Sequence, residues 1–322
     1  MARVLVTTVP FGERDRTPLE MLEASGVDWL VNPIDRKLTE SELVQLVSDT
    51  EVLIAGTEPI TDAVMAQAPH LRLISRVGVG LDNVDLAAAR RRGIAVSYTP
   101  TAPAPAVAEL TIGLMFSLLR GIHVADANIR AGAWHRTMGW RISDVAFGIV
   151  GVGRIGRRVI TLLRGLGASR ILAHDIIEDP LLAEELGFTW VPLDQLIGQS
   201  DLVSLHVPLT ARTRGMFQGP QLAAMRPGSW LVNTARGGIV DESALGEALR
   251  AHHLAGAAID VFEREPYDGE LMEIPTCLLT AHMGSMSVDC RAAMEIEATR
   301  EAVRHLTGQP LNSPVPDSEY PD

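Results

Sequence analysis

Hydrophobic and polar positions along this chain alternate between two periods, and that alternation predicts its architecture. Short apolar runs rich in branched residues occur at Val4–Thr7, Trp29–Val31, Glu51–Ala55, Leu71–Ser75 and Ile94–Ser97. Runs of this kind suit strands buried on both faces. Helical spacing fills Pro18–Ala24 and a stretch near Ser41–Val47, the latter opened by Thr39 and Glu42 in capping-box order. Strand and helix in alternation predict a parallel sheet covered by helices.

The rhythm returns later in the chain. Strands are predicted at Ile149–Val150, Ile171–Ala173, Leu202–His206, Trp230–Asn233, Ala257–Val261 and Leu278–Thr280, enough for a six-stranded doubly wound sheet. Between the two sets, Tyr98–Pro105 carries three prolines and reads as a domain crossing. An apolar helix from Ala106 to Leu119 opens the second half. A last helix over Ser287–Leu306 is read as returning to the first domain, and residues 314–322 show no folding pattern. These spans leave no room for an appended regulatory domain.

One stretch adds chemistry to the pattern. The run Phe147–Val150 enters Gly151, Gly153 and Gly156, spaced G-x-G-x-x-G, and a helical segment follows from Arg157. Gly151 suits a tight turn, Gly153 a close approach of backbone N–H groups to a pyrophosphate, and Gly156 close packing of helix on strand. Phosphates would sit at the helix N-terminus, where unpaired N–H groups and the dipole favour anions. Asp175 stands 19 residues beyond Gly156 at the end of a predicted strand. A carboxylate there accepts both ribose hydroxyls and repels a 2′-phosphate, and Ile176–Asp179 offers no arginine, so NAD is expected over NADP. No such fingerprint follows the first strand of the chain, which places the dinucleotide in the second half.

Composition narrows the class. With 322 residues, 47% hydrophobic and 21% charged, the chain reads as a soluble two-domain protein. The net charge of −12 argues against a general nucleic-acid binder, and Arg90–Arg92 reads as a solvated helix end. Two cysteines, Cys277 and Cys290, provide neither a disulfide framework nor a metal site and suit a reducing cytoplasm. The first residues read as a strand rather than a signal peptide. The apolar run Leu110–Leu119 is too short to span a bilayer.

Further words complete the picture: Ser204–Thr210, Leu231–Glu242, Ala258–Pro266 and Leu279–Ser285, with Ser75–Asp85 and Val107–Leu110 upstream. Together with the fingerprint they resemble the D-isomer-specific 2-hydroxyacid dehydrogenases, most closely the 3-phosphoglycerate dehydrogenase branch, over essentially the whole chain. The resemblance implies an α/β fold of two Rossmann-like domains with parallel sheets and the active site in the interdomain cleft. Residues 1–100 plus 286–322 would form a discontinuous, flavodoxin-like substrate domain, and 101–285 the NAD-binding domain. A homodimer built largely through the cofactor domain is also implied, which would suit the apolar helix from Ala106.

Moving a hydride between a secondary alcohol and nicotinamide requires a proton carrier for the hydroxyl and a cation for the carboxylate and the C2 oxygen. By resemblance, His282 is the acid/base, Glu265 its paired carboxylate and Arg236 the anchor. Glu263 competes with Glu265, but the family word places the carboxylate before proline. The cofactor would touch Gly151, Gly153, Arg154, Ile155, Gly156 and Asp175, then His206, Val207, Pro208 and Thr213. It would also meet Thr234, Ala235, Arg236, Asp260, His282 and Gly284, with Asp260 holding the nicotinamide amide or ribose.

The substrate carboxylate would enter the loop Arg76, Val77, Gly78, Val79 and Gly80, with Arg236 opposite. Arg76, and less strongly Arg136, are candidates for a distal phosphate. The chain departs from the phosphoglycerate pattern at Gly56, Pro103, Ala281 and Met283. Glyoxylate or hydroxypyruvate reduction, a phosphonate substrate, or an NAD-sensing corepressor-like role stand as alternatives. No metal is expected.

Overall fold

The computed structural model describes residues 4–320. The chain forms two compact units, one spanning Met1–Pro103 and Met286–Asp322, the other Ala104–Ser285.

In the first unit the elements run β1 (Val4–Val6), α1 (Thr17–Ala24), β2 (Trp29–Val31), α2 (Glu40–Leu46), β3 (Val52–Ala55), α3 (Asp62–Ala66), β4 (Leu73–Arg76), α4 (Leu86–Arg91) and β5 (Ala95–Ser97). All five strands pair in parallel in the order β2-β1-β3-β4-β5, the order of flavodoxin-like sheets. Helix α2 begins with the capping box, Thr39 accepting from the Glu42 amide and Glu42 reaching back.

The second unit contains α5 (Pro103–Arg120), α6 (Ile122–Arg130), β6 (Ala146–Val150), α7 (Arg154–Gly165), β7 (Arg170–His174), α8 (Pro180–Leu186), β8 (Thr189–Trp190), α9 (Leu193–Gln199), β9 (Leu202–Leu205), α10 (Gly219–Ala224), β10 (Ser229–Asn233), α11 (Glu242–Arg250), β11 (Leu254–Ile259) and β12 (Cys277–Leu279). Its sheet has seven parallel strands, β12-β11-β10-β9-β6-β7-β8, rather than six. The extra strand, β8, is two residues long and lies on an edge, too short to carry a period-2 signal. Helix α5 starts three residues before Ala106, because Pro103 and Pro105 sit in its first turn, where a missing N–H breaks no helical hydrogen bond. Helix α6 was not foreseen; none of its residues is buried.

The last helix, α12 (Val288–Leu306), belongs to the first unit and packs on α1, β3 and β4. Ser75 Oγ donates to its Ala298 carbonyl at 2.8 Å. The tail, expected to be patternless, docks beside β5. Val315 N–H donates to Val96 O at 2.9 Å, Tyr98 N–H donates to Ser313 O, and Val315 enters the core at 6% exposure. Glu301 on α12 accepts the amides of Asn312 and Ser313, and Arg90 lies 4.2 Å over the Tyr320 ring. Burying one valine contributes about 1.5–3 kcal/mol, which the prolines of the segment hid from periodicity arguments.

Candidate active site

The predicted site residues of the second unit follow the C-terminal ends of one parallel sheet. Taken in space, the sheet order arranges them as His282 after β12, Asp260 and Glu265 after β11, Thr234 to Arg236 after β10, His206 after β9, the glycine fingerprint after β6 and Asp175 after β7. Crossovers run in opposite directions from β6 and β9, and that switch point leaves a crevice for a ligand. With strands about 4.8 Å apart, the row from the fingerprint to His282 is roughly 19 Å long.

The glycines fit a dinucleotide on steric grounds. Gly151 has φ +92°, and a Cβ there would stand 2.6 Å from His206 O. A Cβ on Gly156 would come within 2.0 Å of Gly151 O, so only glycine lets α7 lie against the turn. At Gly153, the N-cap of α7, nothing lies within 4 Å of the Cβ position. The approach to the first turn, Arg154 and Ile155, is therefore open to an anion. Asp175 is tied to this loop: Val152 N–H donates to its Oδ2 and Ile176 N–H to its Oδ1, both at 2.7 Å.

Beside the fingerprint, His206 Nε2 lies 3.0 Å from Ser204 Oγ, and Nδ1 is buried without a protein partner. Burial pushes its pKa down to about 3, so the ring is neutral at physiological pH. Val207 lines Gly151, whose Cβ position is 2.9 Å from Val207 Cγ1. Thr213 closes its own loop, donating to Pro208 O and accepting from Thr210 N–H. Thr234 Oγ1 pairs with Thr111 Oγ1 of α5 at 2.9 Å, and Ala235 N–H donates to Asn233 Oδ1.

At the other end of the row, His282 Nδ1 sits 3.0 and 2.9 Å from the two Glu265 oxygens. A carboxylate on Nδ1 fixes the tautomer that donates there and leaves Nε2 as the reactive nitrogen. Glu265 Oε1 also accepts Phe262 N–H at 3.1 Å. His282 and Glu265 side chains are 36% and 29% exposed, open enough for a small molecule to reach. His282 adopts φ +49°, a left-handed conformation that costs a histidine of order 1 kcal/mol or more.

Asp260 holds His282 there. Its O accepts His282 N–H at 2.7 Å, its Oδ1 accepts Thr280 Oγ1–H and Met283 N–H, and its Oδ2 accepts Gly284 N–H at 3.0 Å. At 1% exposure, Asp260 organises the histidine turn through these bonds. Arg236 Nη1 donates to Ala235 O at 2.7 Å, and Asn233 Nδ2 fixes the Arg236 carbonyl. A Cβ on Gly237 would fall 2.0 Å from Phe262 C, so the arginine turn and the Glu265 loop touch backbone to backbone.

In the first unit the Arg76–Gly80 loop is braced from within. Arg76 is 3% exposed and turns inward, its Nε and Nη2 donating to Gly80 O and its Nη1 to Ala55 O. Val77 N–H donates to Ala55 O and Gly78 N–H to Thr99 Oγ1 at 2.8 Å. Val79 and Gly80 are the amides left for an anion, since no partner for either is found among the described residues. Arg136 is exposed. Beside Gly56, Glu58 is buried and accepts from Gly56 N–H and the Thr7 hydroxyl. Neither Thr99 nor Glu58 carries a motif that would have singled it out. Among the described residues no His/Cys/Asp/Glu group could hold a metal, and no single helix is long and apolar enough to cross a membrane.

The profile of the D-isomer specific 2-hydroxyacid dehydrogenase NAD binding domain matches residues 112–284, more than half of the chain. The chain belongs to the D-isomer specific 2-hydroxyacid dehydrogenases. NAD is accordingly its cofactor. Relatives in this family include a D-3-phosphoglycerate dehydrogenase of Mycobacterium leprae, 37% identical over 88% of this chain and 53% of that protein. A glyoxylate reductase of Korarchaeum cryptofilum is 39% identical over 78% of each. The chain thus spans about half the length of the phosphoglycerate dehydrogenases it matches. Among solved structures, the TT0316 protein from Thermus thermophilus superposes with a TM-score of 0.88 at 35% identity, over 98% of this chain and 100% of that one.

Proposed function

We propose that this protein is an NAD-dependent oxidoreductase that interconverts a D-2-hydroxy acid and a 2-oxo acid. The observation that carries this reading is the His282–Glu265 pair standing on the same sheet edge as the dinucleotide cradle, with Arg236 on the strand between them and the cradle. Bound NAD supplies the hydride acceptor, and NADH the donor. The chain's own residues do the rest. Glu265 holds Nδ1 and stabilises the imidazolium, so His282 Nε2 gives or takes the proton of the C2 hydroxyl. The Arg236 guanidinium grips the carboxylate and offsets charge developing on the C2 oxygen. Asp175 takes the adenosine ribose.

Substrate size is the finer part of the reading. The inward turn of the Arg76 guanidinium and the buried Glu58 carboxylate favour a small, unphosphorylated 2-oxo acid of the glyoxylate or hydroxypyruvate kind over phosphoglycerate. Val79 and Gly80 amides receive its carboxylate. The exposed apolar side chains of Ile122, Ile129, Trp134, Met138 and Trp140 support a homodimer through the second unit. Cys277 and Cys290, both free and buried, support a reducing cytoplasmic compartment. The charge of −12 speaks against a nucleic-acid partner.

The test is loss of NADH absorbance against a panel of 2-oxo acids including phosphohydroxypyruvate, glyoxylate and hydroxypyruvate. Tight NADH binding with no turnover of any acid would favour an NAD-sensing role and overturn the enzyme reading. His282→Ala is expected to lower kcat about 10²–10⁴-fold with NADH affinity retained; unchanged turnover would remove His282 from the mechanism.

A further inference from the structure

Helix α11 begins with Asp241 as N-cap, whose carboxylate accepts Ala244 N–H in the ordinary way. The next residue, Glu242, does something else. Its Oε1 accepts Glu263 N–H at 2.8 Å, across 21 positions of sequence. Glu263 lies in the loop that carries Glu265, and the preceding amide, Phe262 N–H, is held by Glu265 itself at 3.1 Å. Two consecutive amides of one loop are thus fastened by two carboxylates, one inside the loop and one outside it. Gly237 presses on the same 262–263 peptide, its Cβ position only 2.5 Å from Glu263 N. Arg236, one residue earlier, therefore shares this support.

We infer that Glu242 is a positioning residue for the Glu265–His282 pair, holding the Glu265 loop in the conformation that presents both carboxylate oxygens to Nδ1. The inference rests on the proposed acid/base role of that pair. Without the Glu242 oxygen, the solvent-facing Glu263 amide loses its protein acceptor, and the short loop from Phe262 to Glu265 is free to re-form around water. Rotation of the Glu265 carboxylate then leaves His282 without its orienting partner. Burial raises the Glu242 pKa, the hydrogen bond from the Glu263 amide works against that rise, and the charges of Glu263, Asp241 and Glu265 add to it; Arg214 lies 3.9 Å from Glu263. Tyr267, stacked on Phe262 at 4.2 Å, bounds the loop on its far side.

Glutamine keeps an acceptor oxygen and drops the charge, so the pair Glu242→Ala and Glu242→Gln isolates the hydrogen bond. Glu242→Ala is expected to lower kcat about tenfold with KM and NADH affinity little changed, and Glu242→Gln to restore kcat to within about twofold. A second readout needs no substrate. The downfield proton NMR signal of the His282 Nδ1–H, assigned by its loss in His282→Ala, should persist in the wild type and Glu242→Gln and broaden or shift upfield in Glu242→Ala. An unchanged signal and an unchanged kcat in Glu242→Ala would overturn the inference. Equal loss of kcat, NADH binding and thermal stability in both variants would overturn it too, by showing a folding role. If no 2-oxo acid is turned over by the wild type, the enzyme reading fails, while the NMR comparison still decides the role of Glu242.

Discussion

Two glycine loops follow parallel strands in this molecule, and they have opposite fates. After β6, Gly151 turns with φ +92° into a loop whose last glycine, Gly153, faces open space at the start of the 12-residue helix α7. After β4, Gly78 turns with φ +148°, but its N–H is taken by Thr99 and the loop is clamped by Arg76 on Gly80 O. Both are Gly-x-Gly sequences leaving an apolar strand. In both, the amides that open the turn are satisfied from within, Gly151 and Val152 by His174 O and Asp175; what differs is that a 12-residue helix starts directly after the first loop. An amide already paired offers an incoming anion nothing, whereas the free amides of a helix N-terminus offer several N–H groups and a dipole. The first loop leads into such a helix start; the second leaves only the Val79 and Gly80 amides without a partner among the described residues.

Breaking the open loop should have the largest effect. Gly156→Ala puts a methyl group within 2.0 Å of Gly151 O and is expected to weaken NADH binding about 100-fold, or about 2.7 kcal/mol, by calorimetry. Gly153→Ala meets no atom and should cost less than about tenfold. Equal losses in the two would mean that the loop tolerates no side chain at all, and the steric distinction would fall.

The next test concerns His206, whose carbonyl backs the open loop. Its native pKa, near 3, lies below the 6.5 of an unperturbed histidine. The unfolded state therefore binds a proton that the native state refuses. This contribution to stability is complete above pH 6.5 and is lost as pH falls toward 3, with a slope of at most about 1.4 kcal/mol per pH unit. Denaturant midpoints measured across that range should fall less steeply for His206→Asn than for the wild type; parallel curves would place the ring in contact with water.

The smallest expected change sharpens the closed loop. Thr99→Val removes the acceptor of Gly78 N–H at 2.8 Å and should alter the KM for the 2-oxo acid by a few-fold, about 1 kcal/mol, leaving NADH affinity as it was. A change in NADH affinity instead would show that the two loops are not independent.

Much of the fold was legible because strands buried on both faces need continuous apolar runs, and this chain supplies them at regular intervals. The strand β8 and the docked tail escaped because neither shows a period, β8 for its two residues and the tail for its prolines, and the burial of each is decided by what it meets. Of the candidate site, the residues with a motif could be singled out from sequence, among them Gly151, Gly156, Arg236, Glu265 and His282. Those that hold them could not. Thr99, Glu58 and Glu242 are ordinary residue types in ordinary local settings, and the bonds by which Asp260 organises the histidine turn have no local signal.

The sequence by itself determined the alternation of elements and the class of cofactor, and it singled out Arg236, Glu265 and His282 as candidates to move a proton and grip a carboxylate. These depend on residue type and local spacing, which are written in the chain. Only the tertiary structure decided the spatial order β12-β11-β10-β9-β6-β7-β8, which sets residues 151, 206, 236, 265 and 282 in one row. It also decided that Arg76 turns inward and that Glu242 reaches Glu263. Hydrogen bonds across 21 or more positions form only when strands pair and loops close, so no local reading of residue types could have assigned them.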